Sequence, residues 1–140
     1  FLFSANKGSG YGELKKVASG GELSRIMLAI KAILSDYAKL PTIIFDEIDT
    51  GVSGEIAQKM ADLMKKMSAN LQVISITHLP QIAANGHSHF KVYKEDNENQ
   101  TLTRLKLLTT DDRVQEIAEM IGGKNITESA LTHARSLLHI

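Results

Sequence analysis

Ile43-Ile44-Phe45-Asp46-Glu47-Ile48-Asp49 is the stretch whose reading settles the architecture. Thr42 to Phe45 is β-branched and apolar without alternation, the pattern of a strand buried in a parallel sheet. The run then ends abruptly in two adjacent carboxylates. In parallel α/β sheets, ligand sites lie at the carboxyl ends of the strands. At such a place Asp46 could hold a Mg²⁺ ion through oxygen or water. Glu47 could orient and deprotonate an attacking water. A strand that leaves the core into a solvated acidic turn would account for the same residues without any chemistry.

Downstream, Ile56, Met60, Leu63, Met64 and Met67 recur at helical spacing, and the three methionines read as helix core. Gln72 to Thr77 is again β-branched and ends at His78. Strand, helix and strand in this order make a βαβ unit with a parallel pair. If the two strands are neighbours, His78 emerges beside Glu47, where it could hydrogen-bond a phosphate or the water. Upstream, Leu23, Ile26, Met27, Ile30, Ile33, Leu34 and Tyr37 trace an amphipathic helix that Pro41 stops. Its start reads Ser19-Gly20-Gly21-Glu22, a capping box with two glycines that let backbone approach a ligand. A helix N-terminus suits phosphate, although a capped helix explains Ser19 and Glu22 without one.

Further out, Phe1 to Ala5 is a short strand candidate and Lys7 to Tyr11 a glycine-rich loop. After Pro80 the character changes. Phe90–Lys94 and Thr101–Leu108 read as a hairpin joined by the polar turn from Glu95 to Gln100. Helices follow near Arg113–Ile121 and Glu128–His139, separated by Gly122-Gly123. The fold class is α/β with a partly parallel sheet, flanking helices, and a C-terminal hairpin plus helices, in a single domain over residues 1–140.

The chain has 140 residues, enough for one domain with a real core. Lys and Arg number 16, as do Asp and Glu, so no basic footprint marks a nucleic-acid partner. Cysteine is absent, which removes disulfides and cysteine-based metal sites and suits the cytosol. No apolar run reaches the roughly 20 residues of a membrane span, and no membrane partner is expected. The start at Phe1 suggests a fragment whose upstream partner has been cut away. His87, His89, His133 and His139 read as turn, solvated-face or helix-end residues rather than metal ligands.

In this order the segments resemble the motifs of ABC-type ATPase heads. Ser19-Gly20-Gly21-Glu22 resembles the signature, the run into Asp46-Glu47 resembles Walker B with its catalytic glutamate, Asp49 and its turn resemble the D-loop, and His78 resembles the switch histidine. Lys16–Arg25, Phe45–Gly54 and Thr77–Ala83 look more like the RecN-like branch of this family than the SMC or Rad50 branches. The resemblance implies the C-terminal lobe of a head that sandwiches ATP between two copies. Asp46 (Mg²⁺), Glu47 and His78 would then serve ATP on their own head. Ser19, Gly20, Gly21 and Glu22 would reach ATP on the opposite head, with Asp49 at the seam. The implied partners are its own N-terminal Walker A lobe, the second head of a homodimer, and DNA through the full-length protein. The implied cofactors are ATP and Mg²⁺, the implied task is recombinational repair of DNA double-strand breaks, and the implied location is cytoplasmic and nucleoid-associated.

One departure counts. No Gly-x-x-x-x-Gly-Lys-[Ser/Thr] occurs, and the nearest strings, Lys7-Gly8-Ser9-Gly10 and Gly122-Gly123-Lys124-Asn125, lack the Lys-[Ser/Thr] pair. The P-loop cradle and the family's coiled coil are therefore expected elsewhere, and this chain alone is expected neither to hold ATP tightly nor to hydrolyse it. The alternatives are an SMC- or Rad50-like head half with another chromosome task, a module that binds ATP only to pair heads, and an α/β domain with no nucleotide role.

Overall fold

The computed structural model describes residues 2–4, 7–8, 10–97 and 100–140. The chain divides into two compact units, Phe1–His78 and Leu79–Ile140. Phe1 and Ala5 of the expected first strand, Ser9 of the glycine-rich loop, and Glu98 and Asn99 of the hairpin turn lie outside the described residues.

The first unit holds β1 (Leu2–Phe3), β2 (Gly12–Glu13), α1 (Leu14–Val17), α2 (Gly20–Ala38), β3 (Thr42–Asp46), α3 (Gly54–Met67) and β4 (Gln72–Ile76). β1 and β2 pair antiparallel, and β3 and β4 pair parallel, with Thr42 opposite Gln72 and Asp46 opposite Ile76. The expected β-α-β unit is therefore present, and α2 begins at the expected capping box. Of the apolar stripe of α3, Met60, Met64 and Met67 are buried together with Ala57 and Ala61, Leu63 is half-buried, and Ile56 is exposed. Ile43 and Phe45 of β3 are buried with them.

Two expectations meet a different outcome. The strand was expected to be buried throughout, yet burial alternates along β3, leaving Ile44 exposed, and Ile74 and Ile76 of β4 are exposed as well. A parallel sheet is covered on both faces in a finished α/β domain. Here one face is covered and the other, formed by these isoleucines, is open. The stripe of α2 behaves likewise: Leu23, Met27, Ile30, Ile33, Leu34 and Tyr37 are exposed, whereas Leu28 is buried. The spacing found the helix correctly. Periodicity reports an apolar face, not whether this chain supplies what covers it.

The second unit holds α4 (Pro80–Asn85), β5 (Phe90–Asp96), β6 (Thr101–Leu107), α5 (Thr110–Gly122) and α6 (Glu128–Leu138). α4 was not foreseen. Pro80 stands at its start, where a missing N–H costs nothing. Thr109 and Asp112 form a capping box on α5, and Thr127 caps α6. Gly123 ends α5 at φ 77°, a conformation that favours glycine. Ala83, Ala84, Val114, Ile117, Ala118, Ala130 and Ala134 form the core of this unit. The alanines let the three helices approach closely. The hairpin ties to α5 through ion pairs of Lys91 with Glu116 and Glu119 and of Lys106 with Asp112.

His89 lies against that charged cluster with its Nδ1 buried and without a hydrogen-bond partner among the described residues. Burial pushes its imidazole below the ordinary value of 6.5, and the charges of Arg113 and Lys91 push the same way against Glu116. The unfolded chain therefore binds a proton at His89 more readily than the folded chain does. Stability should be full above the ordinary value and should fall as the pH drops through and below it. We expect a lower thermal midpoint at about pH 5.5 than at about pH 7.5, and His89→Gln should flatten that dependence. An unchanged slope in the variant would move the effect to another group.

Candidate functional site

The site is built where β3 and β4 end. Because the strands are parallel and Asp46 faces Ile76 in register, Glu47 and Thr77 leave the sheet at the same end, followed on β4 by His78. Neighbouring strands lie about 4.8 Å apart. The Glu47 N–H donates to the Ile76 carbonyl at 3.1 Å, extending the pairing one residue past the strand. Asp46 and Glu47 are both exposed, as is His78.

Glu47 has a left-handed backbone, φ 47°, which is unusual for a residue with a side chain. That conformation costs about 1–2 kcal/mol relative to the right-handed one. Strain of this kind persists only where the surroundings impose it, and it clusters at functional sites. Here the imposing contacts are visible. The Glu47 carbonyl accepts from the Thr50 N–H at 3.2 Å and from Thr50 Oγ1 at 2.9 Å, closing a tight turn directly after the strand.

Asp49 closes the other half of that turn. It is fully buried, its Oδ2 accepts a hydrogen bond from Thr77 Oγ1, and His78 Nδ1 lies 3.7 Å from the same oxygen. The expectation put Asp49 at a seam between heads. Its carboxylate faces the interior of its own unit, so what the turn offers outward is Thr50, Gly51 and Ser53, all exposed.

At the start of α2, Ser19 Oγ donates to Glu22 Oε2 at 2.8 Å and accepts from the Glu22 N–H at 3.3 Å. The Ser19 N–H donates to the same carboxylate oxygen at 2.7 Å. These bonds to Ser19, the backbone one first, hold the Glu22 carboxyl below its ordinary range. Ser19 and Gly20 are exposed, and Gly21 is buried against the Gly51 turn. A Cβ on Gly21 would stand 2.8 Å from the Gly51 carbonyl oxygen. The two segments singled out in the sequence as helix start and post-strand turn therefore touch backbone to backbone.

An open cleft of about 270 Å³ runs between α2 and the end of β3, lined by Leu23, Ser24, Met27, Lys31, Phe45, Asp46, Glu47 and Ile48. The acid pair thus faces one helix of its own unit. Lys31 adds a cation that the sequence did not flag, and its amine sits 5.1 Å from the Phe45 ring centre. A second open cleft, about 330 Å³, is lined by Asp111, Val114, Gln115, Arg135 and Ile140. It contains none of the residues gathered at the strand ends. Thr77 and the Gly21–Gly51 contact were likewise missed. Only the register of β3 on β4 brings Thr77 to Asp49, and a glycine in sequence does not name its neighbour.

No family model matches the chain. Curated relatives do match it. The DNA repair protein RecN of Bacillus subtilis (strain 168) is 49% identical over 138 residues, which is 99% of this chain and 24% of the relative. RecN of Rickettsia conorii is 47% identical over 140 residues, 100% of this chain and 26% of the relative. RecN of Deinococcus radiodurans is 47% identical over 136 residues, 97% of this chain and 24% of the relative. The chain spans about a quarter of the length of these relatives, at their C-terminal part. Among solved structures, an Smc head domain with coiled coil and joint derived from Pyrococcus yayanosii superposes with a TM-score of 0.65 at 27% identity, over 74% of this chain and 19% of that one. An SMC ATPase solved in connection with ATP-driven dimerization and DNA-stimulated activation gives a TM-score of 0.62 at 22% identity, over 81% of this chain and 68% of that one. The chain is thus homologous over its whole length to the C-terminal part of the RecN proteins, and its fold is that of an SMC-type ATPase head.

Proposed function

We propose that this chain is the C-terminal lobe of a RecN-like ATPase head, residues 1–140 acting as one functional domain in the repair of DNA double-strand breaks. It supplies Walker B, the catalytic glutamate and the switch histidine to ATP on its own head, and the signature to ATP on a second head. The observation that carries this reading is the register of β3 on β4. It brings Asp46-Glu47 and Thr77-His78 to the same end of adjacent parallel strands, with Glu47 in a strained backbone at the exit.

The residue roles follow from chemistry. Asp46 is an exposed carboxylate at a strand end, the kind of group that binds Mg²⁺ while phosphates and water complete the coordination. Among the described residues no three His, Asp or Glu side chains converge on one point, so other ligands must come from the nucleotide, water and the P-loop lobe. Once bound, the ion would neutralise charge on the β- and γ-phosphates. Glu47 orients the lytic water and accepts its proton. His78 hydrogen-bonds the γ-phosphoryl group or that water. In the opposite head's site, Ser19 Oγ and the N–H groups at the start of α2 meet the γ-phosphate. To do so Ser19 must exchange the Glu22 carboxylate for the phosphate.

The exposed faces fit the same reading. Ile44, Ile74 and Ile76 and the α2 stripe of Leu23, Met27, Ile30, Ile33 and Leu34 are apolar surface that a lone soluble domain rarely leaves open. We assign their cover to the N-terminal lobe that carries the P-loop. The chain's neutral balance gives no electrostatic footprint for DNA, so contact with DNA is assigned to the full-length protein. Among the described residues no helix is long and apolar enough to cross a membrane. The test is complementation: this chain alone should not hydrolyse ATP, and addition of the P-loop lobe should produce hydrolysis.

A further inference from the structure

The turn after β3 contains a carboxylate to which the proposed hydrolysis gives no task. Asp49 is fully buried, and a buried carboxylate is costly unless its lone pairs are met by donors. Thr77 Oγ1 satisfies part of Oδ2. Oδ1 is buried and has no hydrogen-bond partner among the described residues. His78, directly after Thr77, brings Nδ1 to 3.7 Å from Oδ2, while most of its ring remains in solvent. An ionised carboxylate can only accept, so a ring nitrogen that hydrogen-bonds to it carries the proton. Which nitrogen is protonated then decides what the other nitrogen can do.

We propose that Asp49 is a positioning residue for His78: its buried carboxylate, tethered by Thr77, holds the proton on His78 Nδ1 and leaves Nε2 as the nitrogen that meets the ligand. This rests on the reading above, in which His78 acts on the γ-phosphoryl group or the lytic water. With Nδ1–H given inward, a neutral ring offers an Nε2 lone pair that can accept from water. A protonated ring offers an Nε2–H that can donate to phosphate. The 3.7 Å separation exceeds a hydrogen bond. Rotation of the exposed ring toward Oδ2 closes that gap in the free chain. Oδ2 has a second lone pair beyond the one that Thr77 meets, and this can receive the ring N–H.

The same contacts connect the two halves of the proposed machinery. Gly51, two residues past Asp49, packs on Gly21 at the start of α2. A displacement of α2 therefore bears on the turn that orients His78.

The test reads the ring directly. Long-range ¹H–¹⁵N spectra of the ¹⁵N-labelled chain, recorded where an ordinary imidazole is neutral, distinguish the two tautomers. A free imidazole favours Nε2–H. We expect His78 as the Nδ1–H form, a shift of that form toward Nε2–H in Asp49→Ala, and His133 and His139 unchanged as internal references. Thr77→Val keeps the carboxylate but releases its tether, and should give an intermediate shift. His78 already in the Nε2–H form in the unaltered chain would overturn the proposal, with no dependence on whether a variant folds. A folded Asp49→Ala chain with the parental tautomer would overturn it too. No nucleotide is needed, so an Nδ1–H ring in a chain that fails to complement hydrolysis would uphold the pair and remove the ATPase reading instead.

Discussion

Glu47→Gln, placed in the protein that joins this chain to its P-loop lobe, is expected to slow ATP hydrolysis by about 10²–10⁴-fold, the range for loss of a general base. Nucleotide binding and head pairing should survive. The argument rests on position and on chemistry. Glutamine keeps the volume and the hydrogen-bonding length of glutamate but cannot take a proton at neutral pH. The backbone at residue 47 is held by the Ile76 carbonyl on one side and by Thr50 on the other, so the variant should keep the same turn. A single-turnover assay separates the step from product release. Hydrolysis at the parental rate would remove Glu47 from the role of base and leave Asp46 and His78 as the functional pair.

Gly21→Val and Gly20→Ala should move stability in opposite directions although the residues are adjacent. A side chain at position 21 meets the Gly51 carbonyl oxygen at 2.8 Å, a backbone atom that cannot swing aside. Forcing such a contact costs about 1–3 kcal/mol. Position 20 has open space around its would-be Cβ, and its backbone lies outside the left-handed region. Alanine there restricts the unfolded chain and should stabilise by about 0.4–1 kcal/mol. Urea denaturation of the isolated chain measures both. If the two variants were equally tolerated, the Gly21–Gly51 contact would not be tight in solution. The contrast also bears on function, because in the proposed head Gly20 can serve only the ligand while Gly21 also seats the turn.

The sequence made some of this legible for physical reasons. The capping box at Ser19 and Glu22 fixes a helix start through local hydrogen bonds, so three residues of spacing suffice to find it. The β3-α3-β4 unit was legible because a β-branched run, a helical stripe and a second β-branched run leave few other topologies. The stripe of Met60, Met64 and Met67 was correctly assigned to the core. What could not be read was which apolar faces this chain covers itself. Ile44 and Ile30 look as apolar in sequence as Ile43 and Leu28, yet the first two are exposed and the last two are buried. That difference depends on which faces the other elements of this chain pack against, and a helical or strand period does not report it. The six-residue α4 escaped because it is too short to show a period.

The placement of Asp46, Glu47 and His78 at or just past the ends of β3 and β4 was legible, because a β-branched run that stops at polar residues marks a strand end clearly. The inward turn of Asp49 was not, because it depends on a pairing with Thr77 across 28 positions of chain. The Gly21–Gly51 contact is likewise long-range. Local grammar thus marks the residues at the strand ends, and tertiary contact shows which residues hold them in place.

The most direct measurement of the central claim is steady-state ATP hydrolysis by this chain, by the P-loop lobe, and by the two together, with Glu47→Gln in parallel. The account predicts no hydrolysis from either part alone, hydrolysis from the mixture, and its loss with Glu47→Gln. A folded mixture that binds ATP and pairs heads but does not hydrolyse, or a mixture whose rate ignores Glu47→Gln, would contradict it.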